Sequence, residues 1–144
     1  MKSMKILLAA AMLATALPLA QVNATVADAP GDFLGSYTGP PNGDMDVLSA
    51  DVFLDIVDNN FILTATMNGT IGTTATGLYV LGVDRGGATL APFGSTGNGN
   101  VIFNSVVVLN DNATGSVTII GGSTTPLAAG SITISGSSLT AIIP

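Results

Sequence analysis

The chain has 144 residues and contains no Cys, His, Trp or Glu, and its only basic residues are Lys2, Lys5 and Arg85. Each absence removes a class of chemistry. Without His and Cys there is no Ser-His-Asp or Cys-His catalysis and no zinc site built on those ligands. Without Cys there is no disulfide, so the fold relies on its core, on bound metal or on neighbours. Without Glu, and without Lys after position 5, two of the best solvent-facing helix residues are missing. With one Arg beyond the first few residues, nothing can replace the counterions of a nucleic acid, and anionic lipid surfaces are disfavoured. All nine acids are Asp: Asp28, Asp32, Asp44, Asp46, Asp51, Asp55, Asp58, Asp84 and Asp111. Asp pairs are therefore the one acid/base chemistry left open, as in some glycosidases, and no spacing selects such a pair.

What is present begins with a leader. Met1–Lys5 is cationic, Ile6–Leu17 is apolar, Pro18 interrupts it, and Val22-Asn23-Ala24 offers small residues to a signal peptidase. The apolar run falls short of the roughly 20 residues that span a bilayer. Residues 1–24 are expected to be a signal peptide and 25–144 a single domain, secreted, at the cell surface or in the periplasm. Loss of Lys2 and Lys5 leaves one Arg against nine Asp, a net charge of −8. No second apolar run is long enough to span a membrane, and no Cys near the junction could carry a lipid.

The rest of the chain reads as strands. Residues 25–45 are rich in Pro, Gly and Asp and form an extended lead-in. Val47–Ile56 and Phe61–Met67 alternate polar and apolar residues on either side of Asp58-Asn59-Asn60, the pattern of a β-hairpin. Gly77–Asp84 is apolar on both faces, as expected of a central strand. Val101–Leu109 is a strong strand, and Ser116–Ile120, Ser131–Ile134 and Leu139–Ile143 are shorter ones. Nothing after the leader shows a helical period. The expected fold class is all-β, an antiparallel β-sandwich whose jelly-roll or immunoglobulin-like topology the sequence leaves open. Its expected core comprises Val52, Leu54, Phe61, Leu63, Val80, Phe103, Val106 and Val108. The chain stops at Ile142-Ile143-Pro144 directly after an apolar run, as a fragment lacking a C-terminal tail or anchor would.

Two groups of residues are candidates for binding. Asp28, Asp32, Asp44 and Asp46 sit beside Gly turns, and calcium favours several carboxylate and carbonyl oxygens on bendable backbone. The spacing is not that of an EF-hand, and the alternative is that these Asp residues cap turns and keep the domain soluble. The second group is Tyr79, Asp84 and Arg85. Arg85 is expected either to pair with an Asp and tie down its loop or to donate to a ligand carboxylate or sugar oxygen, with Tyr79 as an aromatic face. Asn68-Gly69-Thr70 and Asn112-Ala113-Thr114 match the N-glycosylation pattern and read as turns in a bacterial-style export protein.

Asp28-Ala-Pro-Gly-Asp32-Phe33, Asn42-Gly-Asp-Met-Asp46-Val47-Leu-Ser-Ala50-Asp-Val52, Asn60-Phe61-Ile-Leu63 and Tyr79-Val-Leu-Gly-Val-Asp84-Arg85-Gly86 together carry a resemblance. Over roughly residues 28–87 the chain resembles the N-terminal part of exported bacterial β-sandwich domains of the DOMON-like, sugar-module-like class, and domains of surface proteins with a PEP-CTERM sorting signal. The resemblance implies a β-sandwich that binds a ligand or a surface component, sometimes calcium, a sugar or haem. The chain departs from it in lacking the Pro-Glu-Pro sorting signal with its helix and basic tail. It also lacks His and the exposed aromatics of sugar modules, leaving Met45 and Met67 as weak haem ligands. The expected function is a non-catalytic secreted or cell-surface binding or structural module, with calcium as its candidate stabilising ion. A carbohydrate-binding module is the alternative and an Asp-based glycoside hydrolase a distant one. The expected partner is a surface or matrix component, such as a polysaccharide.

Overall fold

The computed structural model describes residues 23–93 and 101–144. Residues 1–22 of the expected leader and most of the Gly/Ser/Asn loop from Phe93 to Asn100 lie outside the described residues. The described chain forms nine strands in two antiparallel sheets. The strands are β1 (Asn23–Ala27), β2 (Val47–Asp55), β3 (Asn60–Met67), β4 (Leu78–Val83), β5 (Ser105–Asn110), β6 (Gly115–Ile119), β7 (Thr124–Pro126), β8 (Ile132–Ser135) and β9 (Ser138–Ile143). Five strands pair in the order β1-β2-β3-β9-β8 and four in the order β4-β5-β6-β7, and the two sheets pack face to face as a β-sandwich. The one helical turn among the described residues is a short 3₁₀ element at Gly43–Met45. No described helix is long and apolar enough to cross a membrane.

The β2–β3 hairpin forms where alternation places it. Asp55 pairs with Asn60, and the Asp55 carboxylate accepts the N–H groups of Val57 and Asp58 at 3.0 and 3.2 Å. Asn59 adopts φ 54°, a left-handed conformation that Asn tolerates better than most residues. Two strands were not legible. β1 runs across the junction after Ala24, pairing Thr25 with Asp51 and Val26 with Ala50. β7 is short and exposed, and its Pro126 suits an edge because it has no N–H to give a neighbour.

Between the sheets lie Leu63, Ala65 and Met67 of β3, Tyr79 of β4, Val107 and Leu109 of β5, Ile132 of β8, and Leu139, Ala141 and Ile143 of β9, joined by Ile71. This corrects the expected core. Leu63 is buried as expected, and Val52 packs against the cluster from its partly buried position. Val80, however, is 44% exposed on the outer face, because its neighbours Tyr79 and Leu81 take the inner positions. Val106 and Val108 are only partly buried for the same reason: their strand turns Ser105, Val107 and Leu109 inward. Leu54 is partly buried, and Phe61, at the end of its strand, is 39% exposed. Nor is β4 central: it pairs only with β5 and forms an edge of the smaller sheet.

Phe103 is fully buried, but outside the main cluster. A Cβ built on Gly82, whose β5 partner is Val106, would meet the Phe103 ring at 2.6 Å, so the ring lies flush on the outer face of the smaller sheet. Phe93 packs on it with centroids 5.1 Å apart. The β4–β5 connection thus carries a second, small apolar cluster onto the face opposite the core, and only Gly at position 82 leaves room for it.

Candidate functional site: a slot along the edge of strand β4

The four acids of the lead-in do not act together. Asp44 has no exposed surface, and its carboxylate accepts the Thr74 N–H and the Thr74 hydroxyl, both at 2.6 Å. The same hydroxyl accepts the Asn42 side-chain amide at 2.9 Å. Burial, the largest single influence, pushes the Asp44 carboxyl up. Hydrogen bonds from Thr74 and Thr73 outweigh that push and hold it below its ordinary value. Asp46 is 5% exposed and accepts the Gly31 N–H at 2.8 Å and the Asn68 side-chain amide at 3.0 Å. Both acids therefore act as staples, fixing the lead-in to the loop after β3. Gly43 and Gly69 let those two segments cross: a Cβ on Gly43 would lie 2.9 Å from the Gly69 nitrogen. Asp28 and Asp32 are exposed. Local desolvation, repulsion from Asp28, a side-chain hydrogen bond with Asp28 and the charge of Asp46 raise the Asp32 carboxyl above its ordinary value. Among the described residues no three His, Cys, Asp or Glu side chains converge in a way that could hold a metal ion.

Tyr79, Asp84 and Arg85 are also separated. Tyr79, the second residue of β4, has its side chain in the core, 7% exposed, whereas Asp84 and Arg85 follow the far end of that strand in solvent. Five residues of extended chain put them about 16 Å apart. Asp84 accepts the N–H groups of Gly86 and Ala88 at 2.8 and 3.3 Å and so closes its own turn. The Arg85 N–H donates to the Asn104 side chain at 3.0 Å, and Asn104 returns a bond to the Gly86 carbonyl. Bonds from the Asp84 and Asn104 side chains to the backbone tie this loop down, and among the described residues Arg85 makes no guanidinium–carboxylate pair. Among the described residues, neither the buried Tyr79 hydroxyl nor Ser105 Oγ has a partner at hydrogen-bonding geometry. Burial, and then the charge of Asp44, raise the Tyr79 phenol above its ordinary value, with the nearby Gly72 backbone opposing them. Of the other aromatics, Phe33 and Tyr37 stack at 5.1 Å, and Phe93 lies on Phe103, on the face of the smaller sheet away from the core.

The feature that sequence reasoning missed lies between the sheets. A cavity of about 190 Å³, open on one side, is lined by Met45, Val47 and Ala50, by Ala65, Met67 and Leu139, and by Leu78, Tyr79, Val80 and Leu81. The last four are consecutive in β4. Alternate residues of a strand face opposite ways, so four in a row line one cavity only if it runs along the strand's edge. Among the described residues no strand pairs with that edge. Above it the larger sheet overhangs. Val26 of β1 pairs with Ala50 and shares its inward face, yet is 65% exposed, because no described strand of the smaller sheet lies beneath it. Leu78 and Val80 on the edge itself are 51% and 44% exposed. At one end, Met45 and Val47 bring in the acidic lead-in, since Asp46 lies between them and the Asp28 N–H donates to the Leu48 carbonyl at 2.9 Å. No single stretch of sequence signals this slot, because β2, β3, β4 and β9 each contribute a wall. Comparison with protein-family models, with curated proteins and with solved structures finds no match to this chain.

Proposed function

We propose that the protein is an exported, non-catalytic binding module that captures its partner in the slot along β4. The observation that carries this reading is the apolar cavity itself, set against an unpaired strand edge and beneath an uncovered strip of the larger sheet. Monomeric domains ordinarily close such gaps, and those that leave them open use them to bind. The acids support the same reading. Asp44 and Asp46 are committed to protein donors, and the exposed pair Asp28 and Asp32 sits on a loop, not in a cleft where an acid and a base could flank a substrate. The leader supports work outside the cytoplasm, and N-terminal sequencing of the secreted protein should begin at or near Thr25.

A fluorescent apolar dye such as anilinonaphthalene sulfonate tests the slot. The native protein should bind it, and Ala50→Leu, which adds bulk to the cavity wall, should reduce the signal about tenfold, a loss of 1.4 kcal/mol in binding. Dye binding unaffected by the substitution, or absent altogether, would remove the slot as the binding site.

A further inference from the structure

The shape of the slot identifies the class of partner, an inference that rests on the binding reading above. We propose that it accepts an extended polypeptide segment of another protein, which pairs with β4 as a fifth strand of the smaller sheet. The segment seats alternate apolar side chains in the cavity and brings a Lys or Arg to Asp28 and Asp32.

Three observations converge on a peptide. First, the floor of the slot is the edge of β4, and an unpaired strand edge carries a row of backbone N–H and C=O groups that only another backbone can match in register. Second, the cavity, at about 190 Å³, is smaller than the roughly 300 Å³ at which pockets begin to enclose whole small ligands. It suits the side chains on one face of a strand, whose other face would point to solvent. Third, the larger sheet has five strands and the smaller four, and the strip left uncovered lies beneath β1, where Val26 is exposed on the inward side. An added strand beside β4 would occupy that place, cover Val26 with its inward face and lie alongside Leu78 and Val80.

Charge selects among peptides. The Asp46 carboxylate accepts the Gly31 N–H at 2.8 Å and the Asp28 N–H donates to the Leu48 carbonyl at 2.9 Å, which sets the exposed Asp28 and Asp32 toward the Met45–Val47 end of the slot, where they favour a cation. A second copy of this chain is poorly suited to supply it. Beyond the leader its sole basic residue is Arg85, and two chains each bearing nine Asp repel one another.

The test uses a short acetylated peptide of alternating Val and Thr with a Lys at one end, titrated into the purified protein and followed by amide hydrogen exchange. Binding should slow exchange of the β4 amides, residues 78–83, by about tenfold or more on saturation. Methylating alternate peptide nitrogens, which removes their hydrogen bonds while keeping the side chains, should abolish binding. Replacing the peptide Lys by Glu should weaken it several-fold, and Ala50→Leu should weaken it about tenfold, with an unchanged far-UV spectrum reporting that the variant folds. Equal binding of the methylated peptide, or saturation without protection of β4, would overturn strand addition. No binding at millimolar peptide would also overturn it; if the dye still occupied the slot, the broader binding reading would survive, and if the dye failed too, both would fall. Protection of β4 without peptide, in a protein that sediments as a dimer, would assign the slot to a second copy and refute the partner proposed here.

Discussion

Replacing Asp44 by Ala tests how the lead-in is held. The carboxylate has no exposed surface and receives two hydrogen bonds of 2.6 Å from Thr74, thirty residues further along the chain. Bonds to a charged acceptor contribute roughly 1.5–3 kcal/mol each, and the substitution strands the Thr74 amide in a buried position. The hydroxyl of Thr74 keeps its bond from Asn42, which limits the loss. Asp44→Ala should therefore cost about 3–4 kcal/mol, a fall of on the order of 10–20 °C in melting temperature for a domain of this size. Asp44→Asn keeps the shape and one acceptor and should cost about 1–2 kcal/mol, while Thr74→Val should cost about the same. A double-mutant cycle between Asp44→Ala and Thr74→Val, read by urea unfolding, should give a coupling of about 1–2 kcal/mol. A loss of under ~0.5 kcal/mol for Asp44→Ala would show that the carboxylate is solvated and that Thr74 is not its partner.

Three further predictions concern the core and the acids. Val80→Asp should cost under about 1 kcal/mol because the side chain faces outward, whereas Val107→Asp, at a position 1% exposed, should cost 3 kcal/mol or more; equal losses would mean that the strand faces are misassigned. Tyr79→Phe removes a buried hydroxyl that has no well-formed partner among the described residues, so its melting temperature should equal or exceed that of the parent, and a drop of several degrees would reveal a bond to that oxygen, with the Gly72 backbone the nearest candidate. The pH profile should have two limbs. Asp32 is raised above its ordinary 3.8, so the folded state takes up its proton first and stability rises as pH falls toward about 4; Asp44 is lowered, so its contribution is full above 3.8 and lost as pH falls below that value. Asp32→Asn should remove the first limb alone, and a profile unchanged by it would show that Asp32 is not held above its ordinary value in the folded state.

The all-β architecture was legible in the residues themselves. Period-2 alternation on both sides of Asp58-Asn59-Asn60 specifies a hairpin because side chains on a strand alternate by geometry, and the scarcity of helix formers leaves no competing structure. The same rule fails where a run is apolar throughout. In Tyr79-Val80-Leu81 and Val106-Val107-Val108-Leu109 either phase buries Val or Leu, and only the packing of the opposite sheet selects Tyr79, Leu81, Val107 and Leu109 as the inward set. β1 was hidden because the residues that suit a signal peptidase, small and extended, also suit an edge strand. The lead-in acids divide for a reason no local pattern contains. Asp44 meets Thr74 and Asp46 meets Asn68 only because Gly43 and Gly69 let two distant segments cross. The slot belongs wholly to tertiary structure. It exists because one sheet has five strands and the other four, a mismatch set by which strands pair and not by the sequence of any one of them.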